Sequence, residues 1–110
     1  MENNDKKVIN YENTSEFMTF ELGAMKYAIE LPKIREILTY PDNITPLPNT
    51  TKWVKGLISL RGEVVPILDV RLKFNTGPGT YDENTSVIAV ITEDKRIIGI
   101  VVDLVDDVQR

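Results

Sequence analysis

Four carboxylates, Asp69, Asp103, Asp106 and Asp107, are the one set of groups in this chain whose type suggests cation binding or proton exchange. Their placement argues against both uses. An aspartate directly before a turn ordinarily caps it, as Asp69 would before Val70, and Asp106 and Asp107 point to opposite faces if their segment is extended. The chain has neither histidine nor cysteine. That removes the commonest general base, the commonest thiol nucleophile and the usual zinc ligands. No Gly-x-x-x-x-Gly-Lys-Ser/Thr loop is present to cradle a phosphate, and Gly77-Pro78-Gly79 reads as a turn. No catalytic residue, metal ligand or cofactor-binding residue is identified, so the expected activity is binding to other proteins.

Composition narrows the partners. With 13 basic and 17 acidic side chains the formal charge is -4 and no basic run is long enough to track phosphates, so nucleic acid is not expected. The longest apolar stretch, Ile97 to Val102, is far shorter than a membrane span, and the start Met1-Glu2-Asn3-Asn4-Asp5 is too polar and acidic for a signal peptide. A cytoplasmic location is expected. A chain of 110 residues has the length of one domain. At that size folding removes roughly two thirds of the unfolded chain's surface from water, so an exposed strand edge would be felt in stability.

The elements that must position any binding surface follow from the pattern. Residues 1–15 are polar and without periodicity, and are expected to be a disordered leader. Phe17 to Leu22 alternates, and after Gly23-Ala24 so do Tyr27, Ile29 and Leu31, which predicts a β-hairpin. Pro32 opens a stretch, Lys33 to Leu38, that fits one helical turn or a strand; a turn and then a strand is expected. Prolines 41, 46 and 48 exclude Pro41 to Asn49 from a sheet interior. Asn49-Thr50-Thr51 is then expected to cap a short helix carrying Trp53, Val54 and Leu57 and ending near Gly56, with Trp53 as a core anchor. Leu57 to Leu60 and Val64 to Leu68 form a hairpin around Arg61-Gly62-Glu63, with Pro66 at an edge or bulge. Asp69 caps a last turn, Val70 to Phe74, and Ser86 to Thr92 with Arg96 to Val102 makes a third hairpin. Short strands at close intervals without a long helix indicate a barrel or sandwich.

The block Trp53-Val54-Lys55-Gly56-Leu57-Ile58-Ser59-Leu60-Arg61-Gly62-Glu63-Val64-Val65-Pro66-Ile67-Leu68-Asp69-Val70-Arg71 resembles the hallmark stretch of the CheW family of chemotaxis coupling proteins. The resemblance extends through Phe20-Glu21-Leu22-Gly23, Tyr27-Ala28-Ile29 and Ile34-Arg35-Glu36-Ile37, and downstream through Arg96 to Asp103. It implies a mainly β fold of two small SH3-like five-stranded β-barrels. It also implies a non-catalytic adaptor that couples transmembrane chemoreceptors to the histidine kinase CheA, in the cytoplasm at receptor arrays on the inner membrane. The alternative within the resemblance is a CheW-like module of a larger protein, either the regulatory domain of CheA or a CheV-type adaptor. Residues 16–110 are expected to form the CheW-like domain. About 25–74 would be a complete barrel, and 16–24 with 85–110 a partial one that lacks the family's C-terminal strands and helix. Open edges of that kind predict strand swapping or dimerisation.

The resemblance also implies sites. A charge at a hairpin tip such as Arg61 is ordinarily just solvated. In CheW-like proteins the matching arginine pairs with a glutamate that falls on Glu36, on a receptor-facing surface, and a planar guanidinium suits that task because it can grip a carboxylate with two donors. Gly99 interrupts an apolar strand, which marks a bulge or a close approach, and the family's receptor groove passes near it. Val87 and Val105 divide between core and receptor contact. Ile34, Ile37 and Leu38 divide between core and the kinase-facing surface of the middle barrel.

Overall fold

The computed structural model describes residues 16–74 and 80–109, with side chains to residue 106. The expected leader and the turn at Gly77-Pro78-Gly79 lie outside the described residues. Strand β1 (Phe17–Leu22) pairs antiparallel with β2 (Met25–Glu30), from Phe17 opposite Glu30 to Leu22 opposite Met25. This is the hairpin that alternation predicts. A single 3₁₀ turn, Leu31–Lys33, then carries Pro32 in its first positions, where a missing N–H is harmless, and leads into β3 (Ile34–Thr39). The middle hairpin is β4 (Val54–Leu60) with β5 (Glu63–Leu68). Helix α1 (Val70–Phe74) follows, and β6 (Ser86–Ile91), β7 (Ile97–Val102) and β8 (Leu104–Gln109) complete the described chain.

The strands assemble into a three-stranded sheet, β2-β1-β8, and a five-stranded sheet, β3-β6-β7-β5-β4. The pairing divides the chain differently from the expected boundaries. Met25–Glu30 pairs with Phe17–Leu22 rather than with the middle strands, and β6 and β7 lie inside the five-stranded sheet. Neither sheet closes on itself through a continuous ladder among the described residues. The reason lies in β6 and β7. Both are apolar on both faces: Val87 and Val101 pack with Ile58, Val65 and Ile67, whereas Ile88, Val90 and Val102 pack with Met18 and Leu22 of the other sheet. Strands without a polar face must be covered twice, so they sit centrally and join two apolar clusters. Each such Val or Ile taken fully from water contributes about 1.5–3 kcal/mol.

In place of the expected short helix carrying Trp53, Val54 and Leu57, Val54 and Leu57 lie in strand β4 and Trp53 in the turn before it. Val54 already pairs with Leu68, and a register shift between Val54 and Gly56 marks a bulge. Gly56 sits there at φ 142°, where a β-carbon would fall 2.2 Å from the Thr45 carbonyl oxygen. Ladder bonds to β5 thus outweigh a capping signal that only local sequence supplied. Trp53 is half-buried in the preceding turn and belongs to neither apolar cluster. The hairpin tip has Arg61 at φ 52° and Gly62 at φ 82°, the two positive values of a tight turn whose twist matches the strands it joins. Pro66 pairs with Leu57 on one side, and the parallel pairing to β7 begins only at Ile67 opposite Gly99. Proline therefore lies on the part of β5 that has a single neighbour, where its missing donor breaks no second ladder.

Candidate functional site

Two charged arrangements stand out, one exposed and one buried. At the surface, the β4–β5 turn projects Arg61 toward β3, and Arg61 Nε donates to Glu36 Oε1 at 2.6 Å. Next to it Arg35 Nη1 lies 3.8 Å from Glu63 Oε1. The two edges thus face each other with alternating signs, so ion pairs bridge the gap where the five-stranded sheet has no backbone ladder between β3 and β4. The Glu36 carboxylate raises the Arg61 pKa through this hydrogen bond and through charge attraction. Arg61 remains exposed, so its guanidinium edge is open to a partner.

The other expected site residues divide by burial. Ile37 is 45% exposed, while its neighbours Ile34 and Leu38 are half-buried against the two opposite apolar clusters. Val87 is fully buried and Val105 is half-buried against the inter-sheet cluster. Gly99 marks a close approach: a β-carbon there would stand 2.7 Å from Ile67 Cδ1 and 2.8 Å from Val87 Cγ1. Gly99 and Val87 are both buried in the five-stranded sheet.

The buried arrangement went unforeseen. Asp69 is the expected cap, accepting from the Arg71 backbone N–H at 3.1 Å. It also receives the Arg71 guanidinium with both oxygens, at 2.9 Å from Nε and 2.8 Å from Nη2, and the Tyr81 hydroxyl at 2.6 Å. Arg71 Nη1 reaches the Thr80 carbonyl at 2.9 Å and Asp103 Oδ1 at 2.6 Å. Asp103 stands at the bend where the chain leaves β7 for β8, and its Oδ2 accepts from the Gly23 N–H of the β1–β2 turn at 2.7 Å. One guanidinium thus ties α1 to the crossing point between the two sheets. Burial pushes the Asp69 carboxyl up, yet the hydrogen bonds from Arg71 and Tyr81 outweigh it and hold the pKa below the ordinary value. Tyr81 is pushed up by burial and by its bond to Asp69, and Arg71 is raised chiefly by Asp69.

Of the four carboxylates, Asp69 and Asp103 are both engaged by the Arg71 guanidinium. Asp106 faces Lys26 Nζ at 3.3 Å, and the side chain of Asp107 lies outside the described set. Among the described residues no group of three or more acidic side chains is arranged to hold a metal ion. No helix among them is long and apolar enough to cross a membrane.

Residues 16–110 match the model of the CheW-like domain family. The chain is 47% identical over 93 residues to the chemotaxis protein CheW of Klebsiella aerogenes, covering 84% of this chain and 55% of that protein. It is 31% identical over 99 residues to CheW of Helicobacter pylori, covering 90% and 59%. The fold superposes on the crystal structure of the scaffolding protein TtCheW from Thermoanaerobacter tengcongensis with a TM-score of 0.76 at 26% identity, over 86% of this chain and 63% of that one. The chain spans a little over half the length of these curated relatives. With the double sheet, the Arg61 hairpin and the match over residues 16–110, the chain belongs to the CheW-like domain family.

Proposed function

We propose that this chain is a non-catalytic chemotaxis adaptor that couples the cytoplasmic tip of methyl-accepting chemoreceptors to the histidine kinase CheA, in the cytoplasm at receptor arrays on the inner membrane. The observation that carries the reading is the exposed Glu36–Arg61 pair at 2.6 Å, which fixes a hairpin tip against an edge strand and leaves a planar cation facing outward. Glu36 and Arg61 are the receptor-facing charges, and Val87, Gly99 and Val105 are assigned to the same receptor-binding region. Ile37, with Ile34 and Leu38 behind it, is the kinase-facing apolar contact. A pull-down with CheA and with a receptor cytoplasmic fragment tests the reading, and binding to neither would sink it.

A second proposal concerns self-association. Strands β2 and β8 each have one neighbour among the described residues, so their outer backbone groups are open to another strand. Pairing between two copies through these edges predicts a concentration-dependent dimer. A monomer by light scattering at every concentration would exclude it.

A further inference from the structure

Among the described residues the chain passes between the two sheets at the 3₁₀ turn Leu31–Lys33 and at Asp103, the single residue between the end of β7 at Val102 and the start of β8 at Leu104. What packs between the sheets is apolar. Met18 and Leu22 of β1 meet Ile88, Val90 and Val102, with Val105 against the same cluster. Apolar attraction is non-directional, so this contact holds the sheets together but selects the angle between them only weakly. Hydrogen bonds require a direction and do select it.

Asp103 supplies such bonds toward both sheets. Its backbone N–H donates to the Glu21 carbonyl at 2.9 Å and its Oδ2 accepts from the Gly23 N–H at 2.7 Å, which fixes the residue to the β1–β2 hairpin of the three-stranded sheet. Its Oδ1 accepts from Arg71 Nη1 at 2.6 Å, and Arg71 belongs to α1, which follows β5 of the five-stranded sheet. Arg71 is held in turn by Asp69 and by the Thr80 carbonyl. One carboxylate thus has an oxygen on each sheet, and bonds that carry a charge are short and strong. The Asp103 side chain is 35% exposed, and without it Arg71 keeps Asp69 and Thr80, so variants at this position are expected to fold.

The residues assigned to receptor binding divide between the sheets. Glu36, Arg61, Val87 and Gly99 belong to the five-stranded sheet and its hairpin tip, whereas Val105 is on β8, two positions beyond Asp103. The residues assigned to the kinase, Ile34, Ile37 and Leu38, lie on β3 alone. The angle between the sheets therefore enters the first surface and not the second. We propose that Asp103 is a positioning residue for receptor binding: its carboxylate ties Arg71 to the Gly23 turn and thereby sets where Val105 stands relative to Glu36 and Arg61. The proposal rests on the adaptor reading, and Asp103 acts through the sheets rather than by contact with the receptor.

A receptor cytoplasmic fragment and CheA are titrated separately into wild type, D103A, D103N and Y81F, with melting curves of each. D103A, which removes both side-chain bonds, is expected to bind the fragment about tenfold or more weakly while its affinity for CheA stays within about twofold of wild type. D103N keeps an acceptor for Arg71 and falls between, and it carries the comparison if D103A does not melt cooperatively. Y81F takes a bond from Asp69 in the same cluster, leaves both Asp103 bonds in place and binds the fragment as wild type does. The chain has no cysteine, so spin labels at A28C on β2 and S59C on β4, both exposed positions, report the sheets directly. The distance between them is expected to shift or broaden in D103A. If wild type binds the fragment and the Asp103 variants bind it equally well, or if the label distance is unchanged, the positioning role is overturned while the adaptor reading stands. Equal weakening toward the fragment and CheA, or a loss in Y81F equal to that in D103A, also overturns it, since lowered stability would then account for the effect. Wild type that binds CheA alone, or neither protein, removes the receptor reading and the positioning role together.

Discussion

Arg61 Nε lies 2.6 Å from Glu36 Oε1, and this contact joins the tip of the β4–β5 hairpin to the edge strand β3. The two residues are 25 positions apart, and nothing in the backbone ladder connects their strands. Exposed pairs of this kind add little to folding, because water and salt screen them. R61A and E36A are therefore expected to leave the melting temperature essentially unchanged in scanning calorimetry. A large loss of stability in either would show that the pair serves the fold.

Arg71 is the opposite case. Removing it strands Asp69 and Asp103, the first fully buried, without their common partner. Breaking a buried ionic arrangement from one side costs about 3–5 kcal/mol. Whole domains are stable by only about 5–15 kcal/mol, so R71M is expected to lose a large share of its folding stability. Urea denaturation checks this. A midpoint equal to wild type would contradict the role given to the guanidinium.

The same cluster sets how stability depends on pH. Asp69 has a folded pKa below its ordinary value, so the stability it contributes is present above about pH 4 and is lost as pH falls below it. Tyr81 has a raised folded pKa, so its contribution is present below about pH 10 and is lost as pH rises above it. A plateau between those limits is expected in denaturation midpoints measured across pH. Y81F should remove the tyrosine's share of the alkaline loss, and an unchanged alkaline limb in that variant would refute the assignment.

Gly99 is packed rather than bent. A β-carbon there meets Ile67 Cδ1 and Val87 Cγ1 below 3 Å, so both side chains must shift. G99A is expected to cost about 1–3 kcal/mol, the usual penalty of an overfilled core. For a domain of this size each kcal/mol lowers the melting temperature by about 4–8 °C. A neutral substitution would mean that Ile67 turns aside freely.

Local chemistry made much of this readable. Alternation in Phe17–Leu22 and the double-sided apolar runs Ser86–Ile91 and Ile97–Val102 mark strands, Gly62 marks the turn, and Asp69 marks a cap. The pairing of Arg61 with Glu36 was legible only through family resemblance, because their spacing carries no periodic signal. Trp53 was misplaced because a capping sequence favours a helix locally while the bulge at Gly56 and the ladder to β5 act from elsewhere. Arg71 was missed for a similar reason. Its second carboxylate, Asp103, is 32 residues away, and only the crossing from β7 to β8 brings it near. The nearby Asp69–Arg71 spacing was the one available hint, and by itself it reads as a helix cap.

The adaptor reading stands or falls on whether the Arg61 hairpin binds receptor. Titration of a receptor cytoplasmic fragment into wild type and R61A, with melting curves of both, separates binding from folding. The expected result is a saturable complex with wild type and an affinity weakened about tenfold or more in R61A, at unchanged melting temperature. Equal affinity of the two proteins for the fragment would contradict it.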